Sequence, residues 1–96
     1  DDLANKYNLY YRVHVQGIGW MDWAKNGETA GTTGQSRRVE AIEIKLSDDL
    51  ANKYNLYYRV HVQGIGWMDW AKNGETAGTT GQSRRVEAIE IQLIEK

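Results

Sequence analysis

The sequence predicts an all-β protein, and three observations support this fold class. Residues 1–44 recur letter for letter as residues 48–91, so one short unit is used twice. Within each unit, residues 9–16 and 37–46 alternate between apolar and polar side chains and are rich in β-branched and aromatic residues, which is typical of half-buried strands. The dipeptide Asn26-Gly27 between them is a strong signal for a tight hairpin turn.

The chain divides into repeat 1 at residues 1–47 and repeat 2 at residues 48–96. We predict that the repeats fold as one cooperative unit, because so short a repeat without cysteine or a metal site would bury too little surface alone. Natural tandem repeats diverge and modify their end copies, so the perfect identity indicates a symmetric, designed sequence rather than a recent duplication.

Composition argues against several classes of function. The net charge is −1, from 12 basic and 13 acidic residues, so no global field attracts nucleic acid. No apolar run approaches the roughly 18 to 20 residues that span a bilayer, and we predict no membrane span. Neither the dinucleotide fingerprint nor the phosphate-binding loop motif is complete, so we expect no cofactor.

The alternation assigns faces to both long strands. In the first, three apolar side chains share the face opposite the polar ones; in the second, Ile42, Ile44 and Leu46 share a face opposite Glu43. If the alternation holds, Glu40 lies on that apolar face and needs Arg12 or Arg38 as its partner. The apolar face of the first strand is predicted as Tyr11, Val13 and Val15, and its polar face as Tyr10, Arg12, His14 and Gln16.

The segments between these strands are shorter. We predict a bend at residues 17–19, a short strand at residues 20–25, and residues 28–30 pairing back across the Asn-Gly turn. Residues 31–36 contain no large apolar side chain and are predicted as a loop. Residues 48–55 fit either a loop or one helical turn.

A multi-part pattern lies in repeat 1 at residues 11–16 (YRVHVQ), 19–23 (GWMDW), 26–34 (NGETAGTTG) and 38–42 (RVEAI). This pattern resembles a known family, the ChW repeat (clostridial hydrophobic W). The resemblance covers most of both repeats and implies an extracellular or cell-wall-associated binding or adhesion module, with tandem triplets of repeats and carbohydrates as the ligand class.

The tryptophans are the main candidates for a carbohydrate site. A flat indole stacks on a sugar ring, and neighbouring polar side chains would bond its hydroxyls. The alternative is that they pack in the core, and in an extended strand Trp20 and Trp23 would face opposite sides. The candidate residues are Trp20, Trp23, His14, Gln16 and Asp22, with their counterparts Trp67, Trp70, His61, Gln63 and Asp69.

We expect no enzyme and no metal site. The carboxylates Asp22, Glu28, Glu40 and Glu43 show no spacing that establishes a glycosidase pair. One histidine per repeat, alternating with other residues on a strand, lacks the clustered ligands of zinc sites.

Assembly with copies of itself is the leading functional hypothesis. Repeats with identical faces and open sheet edges should continue from chain to chain until a ring closes. A closed ring contains whole chains, and the triplets implied by the resemblance favour a homotrimer over a homodimer. We therefore predict a designed, non-enzymatic, self-assembling β-prism or trefoil-like body, or a β-propeller-like ring. The alternative function is a cell-surface module that binds glycans.

Overall fold

The computed structural model describes residues 7–96, so residues 1–6 at the start of predicted repeat 1 lie outside it. Within the described part, antiparallel strands dominate and the single helix spans four residues, which confirms the all-β prediction. The elements are, in chain order, β1 Leu9–Val15, β2 Gly19–Trp20, β3 Ala24–Lys25, β4 Val39–Leu46, α1 Asp48–Ala51, β5 Tyr54–Val62, β6 Gly66–Trp67, β7 Ala71–Lys72, β8 Thr76–Gly78 and β9 Val86–Glu95.

The first sheet combines both repeats. Strand β1 pairs with β2 and β3 along one side and with β4 along the other. The outer edge of β4 is covered by β8, which comes from repeat 2. This sheet therefore has five strands, four from repeat 1 and one from repeat 2.

The second sheet repeats this arrangement but ends one strand earlier. Strand β5 pairs with β6, β7 and β9, in the same registers as their counterparts in repeat 1. Among the described residues no strand pairs with the outer edge of β9. The corresponding strands β4 and β9, which match in sequence through Ile44 and Ile91, are thus an interior strand and an edge strand, respectively.

The predicted apolar face of the first long strand is confirmed, and Ile44 on the predicted apolar face of the second is buried. Val13 and Val15 of β1 are buried, and the matching face of β5 is more completely enclosed, with Tyr58 fully buried. The main apolar cluster lies between the repeats, where β4 packs on β5. Its buried members are Ile44, Leu56, Tyr58, Val60, Val62, Ala71 and Ala77.

The turn and linker predictions also stand. Asn26 and Gly27 both have positive φ, 41° and 90°, as a type I′ turn requires, and the Glu28 amide donates to the Lys25 carbonyl at 3.1 Å. Of the two structures considered for residues 48–55, the helical turn is present as α1.

Two short-strand predictions are wrong. Residues 20–25 do not form one strand, because residues 21–23 leave strand geometry between β2 and β3. Residues 28–30 do not pair back across the turn; in repeat 2 the corresponding segment overlaps β8, which pairs with β4 instead. The prism, trefoil or propeller arrangement and the single cooperative unit stay predictions. No helix in residues 7–96 is long and apolar enough to cross a membrane.

Candidate functional site

A β-bulge in β4 sets the position of Glu40. His14 pairs with Ala41 and Val15 with Val39, so Glu40 is the extra residue between them. The bulge turns its carboxylate to the His14 side of the sheet, where Oε1 lies 2.9 Å from His14 Nδ1 and Oε2 accepts a 2.9 Å bond from Arg38 Nε. The placement of Glu40 on the apolar face is therefore wrong, and its predicted partner Arg38 is confirmed.

Cations and aromatic rings alternate along the polar face of β1. The Arg12 guanidinium lies 4.9 Å from the Trp20 ring and 4.7 Å from the Trp23 ring. Lys45 Nζ lies 4.3 Å from the centre of the Trp23 ring, at the end of the row that we call its outer end. At the other end, the rings of His14 and Trp20 meet edge-to-face with their centres 5.4 Å apart. We call these five residues the aromatic ladder. Each cation–aromatic contact contributes about 0.5–2 kcal/mol.

The ladder contradicts the prediction that Trp20 and Trp23 face opposite sides of a strand. After Trp20 the chain leaves β2, and the Met21 amide donates to the Val13 carbonyl at 3.0 Å. The departure from strand geometry returns Trp23 to the side of Trp20, and Arg12 contacts both rings. Neither indole is a buried core residue.

Repeat 2 forms the same ladder with one change. Arg59 lies 4.9 Å from Trp67 and 4.7 Å from Trp70, and His61 meets Trp67 at 5.4 Å. Gln92 stands where repeat 1 has Lys45, so the outer cation is missing from this position. Both indoles are more than 40% exposed, with Trp67 at 41% and Trp70 at 42%.

The other predicted site residues either have partners outside the ladder or are exposed. Gln16 lies beside the start of β4, where its side-chain oxygen accepts a hydrogen bond from the Arg38 amide at 3.4 Å. The Gln63 carbonyl accepts from Arg84 at 2.9 Å. Asp22 and Asp69 are exposed. The structure brings His14, Trp20 and Trp23 together, and carbohydrate binding by them stays a prediction.

An open cleft lies beside the outer end of each ladder. In repeat 1 it has a volume of about 520 Å³ and places an indole beside hydroxyl, ammonium and carboxylate groups. The equivalent cleft in repeat 2 is about 230 Å³ and more apolar. No cluster of three or more His, Asp or Glu side chains suited to a metal ion occurs in residues 7–96. The repeat 1 cleft is lined by Tyr10, Trp23, Lys45, Leu46, Ser47 and Asp48.

A second site, which sequence reasoning missed, is the contact between the repeats. The outer edge of β4 pairs with β8, and the pairing is extended by the Thr79 amide, which donates to the Glu40 carbonyl at 3.1 Å. At the other end the Gly74 amide donates to the Ile44 carbonyl at 2.7 Å, and the Ile44 amide donates to the Tyr58 hydroxyl at 3.1 Å. We call this set the repeat junction: residues 40–44 of repeat 1 with Tyr58 and residues 74–79 of repeat 2.

Two residues, Gly78 and Tyr58, fix the geometry of the junction. A Cβ on Gly78 would lie 2.6 Å from the Glu40 carbonyl oxygen, so only glycine allows the backbones to approach this closely. Tyr58 is fully buried and also donates to the Glu75 carbonyl; its burial raises its pKa above the usual range. The sequence did contain one signal for this contact, because Gly78 ends a short segment of strand-forming residues and a glycine there allows close backbone approach.

The junction determines burial in two strands that match in sequence through Ile44 and Ile91. Ile44 of β4 is 3% exposed, whereas its counterpart Ile91 of β9 is 56% exposed. Ala41 is fully buried, whereas its counterpart Ala88 is exposed. The two corresponding carboxylates differ in the same way: the side chain of Glu40 is 7% exposed and that of Glu87 is 35% exposed. Since β4 and β9 share residues up to Ile44 and Ile91, the differences come from neighbours and not from the local sequence.

Comparison with known families gives a match in each repeat. The family model described as ChW, clostridial hydrophobic W, matches residues 14–48 and 61–95, once in each repeat. The matched ranges contain the tryptophans, the Asn-Gly turn and the second long strand, and they confirm the resemblance inferred from the sequence. Searches of curated protein sequences and of solved structures give no match.

Proposed function

Because the chain belongs to the ChW (clostridial hydrophobic W) family through both of its repeats, we propose that it is a non-enzymatic repeat module that associates with copies of itself. The observation that carries the proposal is the contrast between β4 and β9. The same side chains are buried where repeat 2 covers them and exposed where no strand of residues 7–96 covers them. The identity of residues 1–44 and 48–91 supports a designed, symmetric origin.

The exposed side of β9 has the properties of an unfilled interface. Ile89, Ile91 and Leu93 are 42–56% exposed, and because they alternate along the strand they share one face. Contiguous exposed apolar surface marks association sites, and an unpaired strand edge supplies backbone donors and acceptors for another strand. Covering this strand would bury side chains whose full burial contributes about 1.5–3 kcal/mol each.

Mass in solution tests the proposal. Light scattering across a dilution series should give a sharp mass of three times 11.0 kDa, with twice 11.0 kDa as the second expectation. A closed ring should keep that mass on dilution, because opening it breaks an intermolecular junction. A mass of 11.0 kDa at all concentrations would refute self-association.

Carbohydrate binding is the second candidate function, and it is supported by the open indoles. Trp67 and Trp70 are exposed, and Trp23 borders the larger cleft together with a hydroxyl and a carboxylate. If this is the function, Trp70→Ala should abolish glycan binding and leave the melting temperature nearly unchanged. If the tryptophans serve structure alone, a glycan array should show no binding and Trp67→Ala should lower stability.

A further inference from the structure

We propose that the partner of β9 is residues 27–32 of a second copy, docked in the register of the repeat junction. The proposal rests on self-association and names the surfaces that perform it. Within the chain, Ala41, Ile42 and Glu43 pair with Gly78, Ala77 and Thr76, in that order. The same letters occur at Ala88, Ile89 and Glu90 and at Gly31, Ala30 and Thr29, which gives the register between chains.

The proposed junction between chains needs two surfaces, the outer edge of β9 and residues 27–32, and each chain carries both. The outer edge of β9 has no paired strand among residues 7–96, and Thr29–Gly31 forms none either, although its counterpart is β8. Ala77 is 3% exposed in the formed junction, whereas Ala30 is only half-buried. Each copy therefore offers one edge and one segment that fits such an edge.

The apolar faces match in the same way. Ile44 of β4 packs in the cluster with Leu56 and Tyr58, which are 3% and 0% exposed. The counterpart of Leu56 in repeat 1 is Leu9, which is 36% exposed, and the counterpart of Ile44 is Ile91, at 56%. Docking β9 over β1 of a second copy covers both exposed surfaces at once, as β4 over β5 does within the chain.

In the turn of repeat 1, only one backbone amide has to change its hydrogen-bond acceptor for the junction to form. In repeat 1 the Tyr11 hydroxyl accepts from the Gly27 amide at 3.1 Å and donates to the Glu28 carbonyl at 2.6 Å. In repeat 2 the Gly74 amide donates to Ile44 instead, and the tyrosine hydroxyl accepts from the Ile44 amide. Docking thus transfers the Gly27 amide to the Ile91 carbonyl and leaves no donor unsatisfied.

The resulting contact is head-to-tail, because β9 of one copy meets repeat 1 of the next. Such a heterologous contact either closes into a ring or continues as a filament. In a ring every repeat would have the same two neighbours, as the identical sequences allow. Pairing of two β9 strands across a twofold axis is the competing geometry, and it would leave residues 27–32 unused.

Substitutions at two equivalent glycines distinguish the junction within the chain from the proposed junction between chains. Gly31 and Gly78 both have φ of +108°, so alanine is equally strained at either position. A Cβ on Gly78 would meet the β4 backbone at 2.6–2.8 Å, but on Gly31 its nearest contact is Val13 Cγ2 at 3.6 Å. Gly31→Ala therefore fits a single chain and collides with β9 of a second copy.

The first experiment compares the oligomeric mass of Gly31→Ala with that of the full wild-type chain. We expect Gly31→Ala to fold and to raise the apparent dissociation constant at least about tenfold, as a lost close backbone contact in an interface would. Gly34→Ala is the control, since Gly34 also has positive φ, +72°, and its Cβ would meet nothing within 4 Å. This control should assemble as wild type does.

Each outcome has a distinct meaning. A monomeric wild type would overturn both this inference and the proposed function. An assembled wild type with an equally assembled Gly31→Ala would overturn the register and leave self-association standing. If Gly31→Ala does not fold, cross-linking decides, because the chain contains no cysteine. Mixing Ala30→Cys with Ile89→Cys under mild oxidation should give a mixed disulfide dimer, and Ile65→Cys mixed with Ile89→Cys should not. Dimers formed only by Ile89→Cys with itself would establish the twofold alternative.

Discussion

The Tyr58 hydroxyl accepts a 3.1 Å hydrogen bond from the Ile44 amide, so a side chain of repeat 2 closes the sheet edge of repeat 1. The corresponding hydroxyl, on Tyr11, accepts from Gly27 in its own turn instead. The two tyrosines have identical sequence neighbours for many residues on either side. Their different bonds follow from what lies next to each repeat, and this difference can be measured.

Removing the two hydroxyls should have unequal effects on stability. Tyr58→Phe leaves the Ile44 amide without an acceptor in a buried place, which costs about 1–3 kcal/mol. Tyr11→Phe breaks exposed bonds that water replaces, and should cost less than about 1 kcal/mol. Urea denaturation in dilute solution, where single chains dominate, gives both values. Equal losses would contradict the bridging role of Tyr58.

Stability should fall in alkaline solution because of Tyr58. Burial raises the pKa of this phenol above its ordinary value of 10.0, so the unfolded chain loses the proton first as pH rises. Its contribution is therefore complete below pH 10.0 and is lost as pH rises through the folded-state pKa. Free energies of unfolding measured between about pH 9 and about pH 11 should decline, and less steeply in Tyr58→Phe. An identical slope in that variant would assign the decline to other groups.

Neutralising the carboxylate at the bulge should matter in one repeat only. Glu40 is 7% exposed in its side chain and is bonded to both His14 and Arg38, so Glu40→Gln leaves a half-buried guanidinium without its counter-charge. We expect a loss of about 1–3 kcal/mol. Glu87→Gln is the matched control, with a 35% exposed side chain and a longer ion pair of 3.4 Å to Arg85, and should cost less than about 1 kcal/mol. A larger loss for Glu87→Gln would contradict this assignment.

The one internal difference between the ladders supplies a reciprocal pair of variants. Lys45→Gln removes the ammonium 4.3 Å from Trp23 and should cost about 0.5–1 kcal/mol. Gln92→Lys places the same cation beside Trp70 and should gain a similar amount. Tryptophan fluorescence during denaturation follows both. If neither variant changes stability, the outer cation does not support the ladder.

The parts of the fold that follow local rules were predictable. Alternation places Val13 and Val15 inside, and the Asn26-Gly27 dipeptide gives a turn with two positive φ angles. Those signals depend on the period of a strand and on the backbone freedom of single residues. Both are properties that a short window of sequence contains.

The bulge and the ladder lay beyond such rules. One extra residue at Glu40 changes which side chains face His14, and alternation alone cannot locate it because it depends on pairing with β1. The return of Trp23 over Arg12 likewise depends on residues 21–23 leaving the strand. The repeat junction was missed because two identical sequences do not show which copy is covered by a neighbouring strand. Ile44 and Ile91 differ in burial because only Ile44 is covered.

The pairing of β8 with β4 also governs how stability should scale with chain length. An open array of repeats has one junction fewer than it has repeats, so a third identical repeat would add a whole junction and leave the count of open ends unchanged. The fixed cost of the two ends is then divided over more units, and each added repeat should raise the melting temperature by a diminishing step. Ring closure supplies the last junction without any added residue, and the two-repeat chain, with one internal junction, has the most to gain from it.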